Sequence, residues 1–353
     1  MPIDERLFTP DVLANTLSQE IFPEVKTIAP PKMGKVRTVY RVGKDQLVLV
    51  TSDNLSTHDV VHRRQVYGKG DNLNAISAFY FDLTDDIIPN HFQTYLGPNT
   101  WLTHEADPIR VEMVFRAYIT GSAWKAYEKA DGPERGMNFC GVHLREGYKR
   151  NQRLDSVIFT PTAKGQVKDF DISEFASLDS NEDDPKLTID VIRRNFRVFG
   201  LRRAEDIDYL VEKSLALYHA IHSDLASKGH LLADTKWEFG YLPDGRIALI
   251  DECVTPDSSR FWNAKLYKFD EEKNIWIAEQ DDKQHFRDHV ESLGLHKDEK
   301  ALAEYWMPDE LLRAGIGKYA NIRQTITGTT MEITTKPRRE AVLETLAQKG
   351  FLR

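Results

Sequence analysis

The chain has 353 residues, of which 41% are hydrophobic and 29% charged, with a formal charge of −8. That is length enough for a large core and two packed lobes. No run approaches the roughly 20 apolar residues of a membrane-spanning helix, and the acidic balance argues against nonspecific nucleic-acid binding, which wants a basic surface. Residues 1–8 mix charges early and lack an apolar signal core, so a cytoplasmic location is expected. Two cysteines, Cys140 and Cys253, are too few for a disulfide framework and form no CxxC zinc pair. An acidic protein that binds an anionic nucleotide needs local help from a metal ion and a few placed Lys or Arg side chains.

In chain order, residues 36–40 are β-rich, Gly43-Lys44-Asp45 is a turn, and 47–50 is a buried apolar run. Together they predict two strands. Residues 73–83 have helical spacing. Residues 109–119 return to strand character, with Val111, Met113 and Phe115 alternating against Arg110, Glu112 and Arg116. Residues 179–185 crowd Ser, Asn, Glu and Asp and predict an exposed loop within a domain. Thr188 is a plausible N-cap for a helix to Asn195, with Gly200 as a stop. Residues 205–228 give the clearest helix, with Ile207, Leu210, Val211, Ser214, Leu215, Tyr218, Ile221 and Leu225 on one face and Gly229 after it. Pro337 and Gly350 bracket a last helix. Strands first, then helices around a second sheet, predict an α+β fold.

Residues 231–241 and 246–252 read as a hairpin around Leu242-Pro243-Asp244-Gly245, where Pro presets φ and Gly accepts a positive one. Alternation puts Asp234, Lys236 and Glu238 on one face and Trp237, Phe239 and Tyr241 on the other. Pairing Tyr241 with Arg246 sets Glu238 against Leu249 and Lys236 against Asp251. Glu238 and Asp251 then become diagonal neighbours on one face. Two carboxylates about 5 Å apart repel by roughly 3 kcal/mol at an effective dielectric near 20. Lys236 offsets that, or a divalent cation does. Magnesium takes one or two carboxylates plus phosphates and waters, so the pair fits a magnesium–nucleotide complex without demanding one. A solvated charged face explains the alternation as well.

The stretch Asp251-Glu252-Cys253-Val254-Thr255-Pro256-Asp257-Ser258-Ser259-Arg260 is dense in oxygen donors and hydroxyls, and ends in a guanidinium. Such a set suits a phosphate monoester, although an ordinary turn carries the same residue types. Gly34-Lys35 is not a P-loop, and no GxGxxG occurs, so Lys35 alone is as readily a solvated lysine. Gly121-Ser122 either opens a helix as an anion site or serves as a plain cap. Residues 54–59 form a polar loop after a strand.

Taken together, these segments resemble the phosphoribosylaminoimidazole-succinocarboxamide synthase (SAICAR synthetase) family of purine biosynthesis. The resemblance rests on Gly34-Lys35-Val36-Arg37, Ser56-Thr57-His58-Asp59-Val60-Val61, and Phe115-Arg116-Ala117-Tyr118-Ile119-Thr120-Gly121-Ser122-Ala123-Trp124-Lys125. It continues through Ile158-Phe159-Thr160-Pro161-Thr162, Lys236-Trp237-Glu238-Phe239-Gly240 and residues 251–262. It implies a two-lobed ATP-grasp-like fold, with 1–110 as a mainly β nucleotide-covering lobe and 111–353 as a larger α+β lobe. The implied reaction joins ATP, L-aspartate and carboxyaminoimidazole ribonucleotide (CAIR) through an acyl phosphate, with magnesium as cofactor. The implied partners are small molecules, not nucleic acid or membrane, and a homo-oligomer is compatible with it.

Residue by residue, the resemblance makes Glu238 and Asp251 the metal ligands, and with Lys236 the catalytic set. It places Lys35, Arg37 and Lys164 on ATP, together with the backbone of Glu112, Met113 and Val114 on the adenine side. It places Arg116, Ser122, Ser259 and Arg260 on the ribonucleotide phosphate. Asp59, Asp169, Asp234 and Asp257 complete the substrate contacts. The sequence departs from the family pattern at Lys168, Phe170 and His58. Those positions bear on the amine side of the site more than on ATP, so the same ATP and magnesium chemistry with a different amine acceptor is an alternative. A small-molecule kinase and a non-catalytic nucleotide-binding protein are the competing readings. The lack of an HRD loop weakens the first, and retention of both Glu238 and Asp251 weakens the second.

Overall fold

Two antiparallel sheets frame the protein in the computed structural model, which describes residues 5–165, 185–280 and 283–353. The chain opens with a short α1 (Pro10–Leu13), then β1 (Lys32–Met33), β2 (Arg37–Gly43), β3 (Gln46–Thr51), β4 (Asn54–Thr57) and β5 (Val60–Gln65). Helix α2 (Lys69–Leu83) precedes β6 (Phe92–Gly97), β7 (Thr100–His104) and β8 (Asp107–Pro108). The central strand β9 (Val111–Tyr118) leads into α3 (Gly121–Lys129) and α4 (Gly132–Arg135). Next come β10 (Met137–Phe139), β11 (Val142–Leu144), β12 (Arg153–Phe159), β13 (Thr162–Ala163), α5 (Ile189–Arg194) and α6 (Asp206–Ser227). The long strand β14 (His230–Tyr241) pairs with β15 (Ile247–Ile250) and β16 (Ser259–Asn263). The last elements are β17 (Lys268–Asp270), β18 (Ile275–Ile277), α7 (Gln284–Ser292), α8 (Glu299–Glu304), α9 (Asp309–Thr327) and α10 (Arg338–Gln348).

The first sheet runs β1-β2-β3-β7-β6, and the second is built on β12-β9-β14-β15. One hydrophobic cluster joins them: Leu49, Trp101 and Phe81 from the first side meet Phe115, Trp237, Phe239 and Leu249 from the second. The apolar face expected of β14 is therefore the core face, since Trp237 and Phe239 are fully buried and Tyr241 nearly so. Thr188 caps α5 by accepting from Val191 N, as expected of an N-cap threonine. The last helix, α10, packs Val342 and Leu346 on Tyr40, Val48 and Val50 of the first sheet. Among the described residues no helix is long and apolar enough to cross a membrane.

Three features differ from the sequence expectation. First, the hairpin register is shifted by one: Tyr241 pairs with Ile247 and Glu238 with Ile250. Gly245 N donates to Leu242 O, Leu242 N donates to Arg246 O, and Gly245 has φ +88°. That is a three-residue loop with glycine in the left-handed position, not the even loop that pairs Tyr241 with Arg246. A one-residue slip reverses the face of every partner, so the pairings Glu238–Leu249 and Lys236–Asp251 are corrected. The return strand also ends at Ile250, and Asp251 leaves it at φ +65°.

Second, all eight residues of β9 are buried, so the expected half-exposed alternation does not hold. Glu112 and Arg116 are inside because each meets an opposite charge. Third, residues 54–65 are a hairpin rather than a polar loop, turning at His58 and Asp59, both at positive φ.

Two buried histidines give the fold an acid limit. Burial pushes the imidazoles of His62 and His91 down to about 4. The unfolded chain takes up protons near pH 6.5, and the folded chain does not until about pH 4. Their contribution to stability is thus complete above pH 6.5 and lost as pH falls toward 4. Melting temperature is expected to decline across that window, and the His62→Gln/His91→Gln variant is expected to flatten the slope there. A wild-type melting temperature constant from pH 7 to 4.5 would contradict this.

Candidate active site

Asp234 lies opposite Arg116 on one neighbouring strand and opposite Arg260 on the other. Both guanidiniums donate to its Oδ2, Arg116 at 2.6 Å. Arg116 also reaches Thr160 Oγ1 at 2.9 Å and Ser122 Oγ at 3.2 Å. Arg260 lies flat against Gly121, where a Cβ would stand 2.5 Å from its Nη2. Ser259 Oγ donates to Thr235 Oγ1 at 2.8 Å. Two guanidiniums on one carboxylate leave a surplus positive charge, ringed by hydroxyls, an arrangement whose chemistry suits an anion.

Two positions further along β14 lies a second cluster. Successive residues on one strand face are about 7 Å apart, so Asp234, Lys236 and Glu238 form a ladder. Lys236 Nζ donates to Glu112 Oε1 at 2.5 Å and to Glu238 Oε1 at 3.2 Å. Thr162 Oγ1 holds the other Glu112 oxygen at 2.8 Å, and Lys164 pairs with Glu238 Oε2. Burial alone would lower the Lys236 pKa, but Glu238 and Glu112 outweigh it and hold the ammonium charged.

Asp251 comes to this cluster by its left-handed backbone rather than by strand alternation. Arg37 Nη1 donates to its Oδ1 at 2.5 Å, and Arg37 Nη2 donates to Glu252 Oε2 at 2.8 Å. Burial would raise the Asp251 pKa, but Arg37, Lys164 and Lys236 outweigh it and bring it to about 2. The carboxylate is therefore ionised at any working pH, and it shares two of its cations with Glu238.

A cavity of about 640 Å³ opens beside the first cluster. Ser122 and Arg260 form one wall, Asp59 and His58 a second, and Lys283 and Arg287 a third. Lys35 stands outside it, paired with Asp59 at 2.6 Å. Asp257 does not border it and is held instead by Lys69 and Tyr319. Neither Lys236, Glu238 nor Asp251 lines this cavity. The adenine-side backbone contacts expected at Glu112, Met113 and Val114 need correction. Strand β9 is flanked by β14 on one side and by β12 and β13 on the other, and Val114 O accepts from Thr160 N. Those backbone groups are spent in the sheet, and the Glu112 carboxylate is held by Lys236 and Thr162. Asp169, Lys168 and Phe170 lie outside the described residues.

Sequence reasoning missed Lys283 and Arg287, which stand four apart and present two cations to the cavity. Lys283 is the N-cap of α7 and Arg287 lies in its first turn, while the apolar pair of that helix, Phe286 and Val290, packs into the core. Glu252 was passed over as one oxygen donor among several, and Lys69 and Tyr319 carried no signal.

Charge-paired clusters laddered on one strand beside a polar cavity are the equipment of an enzyme that works on multiply charged anions. A family model described as SAICAR synthetase matches residues 31–303. The phosphoribosylaminoimidazole-succinocarboxamide synthase of Elusimicrobium minutum is 35% identical over 306 residues, covering 82% of this chain and 92% of that one. The protein of the same name from Trichlorobacter lovleyi is 32% identical over 334 residues, covering 90% and 100%. The solved SAICAR synthase of Saccharomyces cerevisiae, complexed with SAICAR, superposes with a TM-score of 0.69 at 28% identity, covering 89% of this chain and 99% of that one. The chain belongs to the SAICAR synthetase family and is a ligase of purine biosynthesis.

Proposed function

We propose that the chain condenses L-aspartate with CAIR, driven by ATP, to give SAICAR, ADP and phosphate. The observation that carries this is the ladder on β14, which sets an anion-holding cluster and a lysine–carboxylate cluster about two residues apart on one face. Two antiparallel sheets with these groups on the second also suit the ATP-grasp-like reading.

The ribonucleotide phosphate is received by Arg260, Ser122 and Ser259, with Arg116 behind them and Asp234 fixing both guanidiniums. That orientation directs the imidazole carboxylate along the strand toward Lys236. A carboxylate is a poor electrophile, so a phosphoryl group passes first from ATP to one carboxylate oxygen, releasing ADP. The charged Lys236 offsets the negative charge gathered there, as preorganised cations do in phosphoryl transfer. The aspartate amine then attacks the acyl carbon, a C–N bond forms, the C–O bond to phosphate breaks, and the amine loses a proton. In this reading Lys35, Arg37 and Lys164 meet the ATP phosphates, Asp59 contacts CAIR, and Lys283 and Arg287 receive the carboxylates of aspartate.

Magnesium fits the donor set. Among the described residues no group of three or more acidic, histidine or cysteine side chains gathers as a protein-only cage. Glu238 and Asp251 supply two hard oxygens, which is what magnesium takes when phosphates and waters complete its shell. When bound, the ion would neutralise charge on the phosphates, and Lys164 and Arg37 would give up their present pairings with these carboxylates.

The acyl phosphate is tested with CAIR carrying oxygen-18 in its carboxylate. One labelled oxygen is expected in the released phosphate. Unlabelled phosphate would remove the acyl phosphate and favour direct hydrolysis or phosphorylation of a hydroxyl.

A further inference from the structure

Asp257 precedes Ser259 by two residues and Arg260 by three, in the loop between β15 and β16. Its carboxylate is held from three elements. Lys69 Nζ, from the first turn of α2, donates to Oδ2 at 2.6 Å. Tyr319 Oη, from α9, donates to Oδ1 at 2.8 Å. Lys283 Nζ lies 3.7 Å away. Lys69 is fully buried and Tyr319 is 2% exposed, so these contacts are sheltered from water. Burial alone would raise the Asp257 pKa, but Lys283 and Lys69 outweigh it and keep the group ionised.

The loop transmits this anchoring. Asp257 N donates to Thr255 Oγ1 at 3.1 Å, and Ser259 N donates to Thr255 O at 2.9 Å. Residues 255–259 are therefore one hydrogen-bonded turn, and a shift of Asp257 is a shift of Ser259 and Arg260. Tyr319 stands beyond residues 31–303, the span matched by the family model. Helix α9 is tied down elsewhere by Arg323, which donates to Asp71 Oδ2 at 2.9 Å.

We propose that Tyr319 is a positioning residue for the ribonucleotide phosphate, acting through Asp257 to fix the turn that presents Ser259 and Arg260. This rests on the reading of Arg260 as a phosphate ligand. Phenylalanine at 319 keeps the ring and its packing and removes only the hydroxyl. Asp257 then leans on its two lysines, one of which faces the cavity, and the turn follows.

The test is the KM of each substrate and kcat for the wild type, Tyr319→Phe, Asp257→Asn, Arg323→Lys and Arg260→Ala. Tyr319→Phe is expected to raise the ribonucleotide KM about three- to tenfold, less than the direct loss of a hydrogen bond to a charged group because the effect reaches the phosphate through the turn, with the KM for ATP and kcat within about twofold. Asp257→Asn is expected to raise the same KM at least as far. Arg323→Lys, which alters a tether one turn further along the same helix and leaves both direct partners of Asp257 in place, is expected to leave that KM within about twofold. An unchanged ribonucleotide KM in Tyr319→Phe or Asp257→Asn overturns the proposal. So does an equal rise in Arg323→Lys, or equal losses for ATP and ribonucleotide. If Arg260→Ala itself spares the ribonucleotide, the phosphate reading fails first and takes the proposal with it.

Discussion

Asp251→Asn is expected to lower kcat by a factor on the order of 10² to 10³ while the protein stays folded. The backbone at Asp251 is left-handed, a conformation asparagine tolerates almost as well as aspartate. The side chains have the same shape, and Arg37 keeps Glu252 as a partner at 2.8 Å. What is removed is a charge that Arg37, Lys164 and Lys236 keep in place down to about pH 2. Without it the magnesium proposed here has one carboxylate instead of two, and the three cations lose part of their balance. The checks are steady-state turnover at saturating ATP and magnesium, and a melting curve. Near-normal turnover would remove Asp251 from the metal site. A collapsed melting temperature would show that its main role is to pair Arg37.

Arg260→Ala is expected to raise the ribonucleotide KM about ten- to a hundredfold while the KM for ATP changes by less than about twofold. Arg260 borders the cavity and lies against Gly121, whereas the lysine–carboxylate cluster is separated from it along β14. Asp234 retains Arg116, so the carboxylate is not left alone in the core. Substrate titrations with each ligand varied in turn give both constants. Equal losses for ATP and ribonucleotide would count against a phosphate site at Arg260.

The periodic elements were legible. The helix α6 and the apolar face of β14 follow from spacing alone, because a side chain's direction repeats every 3.6 or 2 residues. The ladder Asp234, Lys236, Glu238 was legible for the same reason. The position of Asp251 was not. It depends on how many residues the turn consumes and on one left-handed backbone angle, and neither is written in hydrophobic pattern. Strand β9 was misjudged because charges usually mark solvent, whereas Glu112 and Arg116 are buried against Lys236 and Asp234. The start of α2 was hidden in the same way: Lys69, Asp71, Asn72 and Asn74 are buried polar residues that break the apolar period. The C-terminal helices could be recognised as helices, but what they touch could not. Tyr319 meets Asp257 across 62 positions of sequence, and Lys69 meets it across 188. Contacts at that separation come from tertiary packing and carry no local signature.

The most direct test of the proposed ligase reaction is ADP release from ATP, magnesium and CAIR, measured with and without L-aspartate and then with other amino acids in its place. ADP formed only when aspartate is present, in step with SAICAR, is the result the site predicts. ADP formed at full rate without aspartate, or only with a different amine, would contradict it and mean that the same phosphoryl chemistry serves another acceptor.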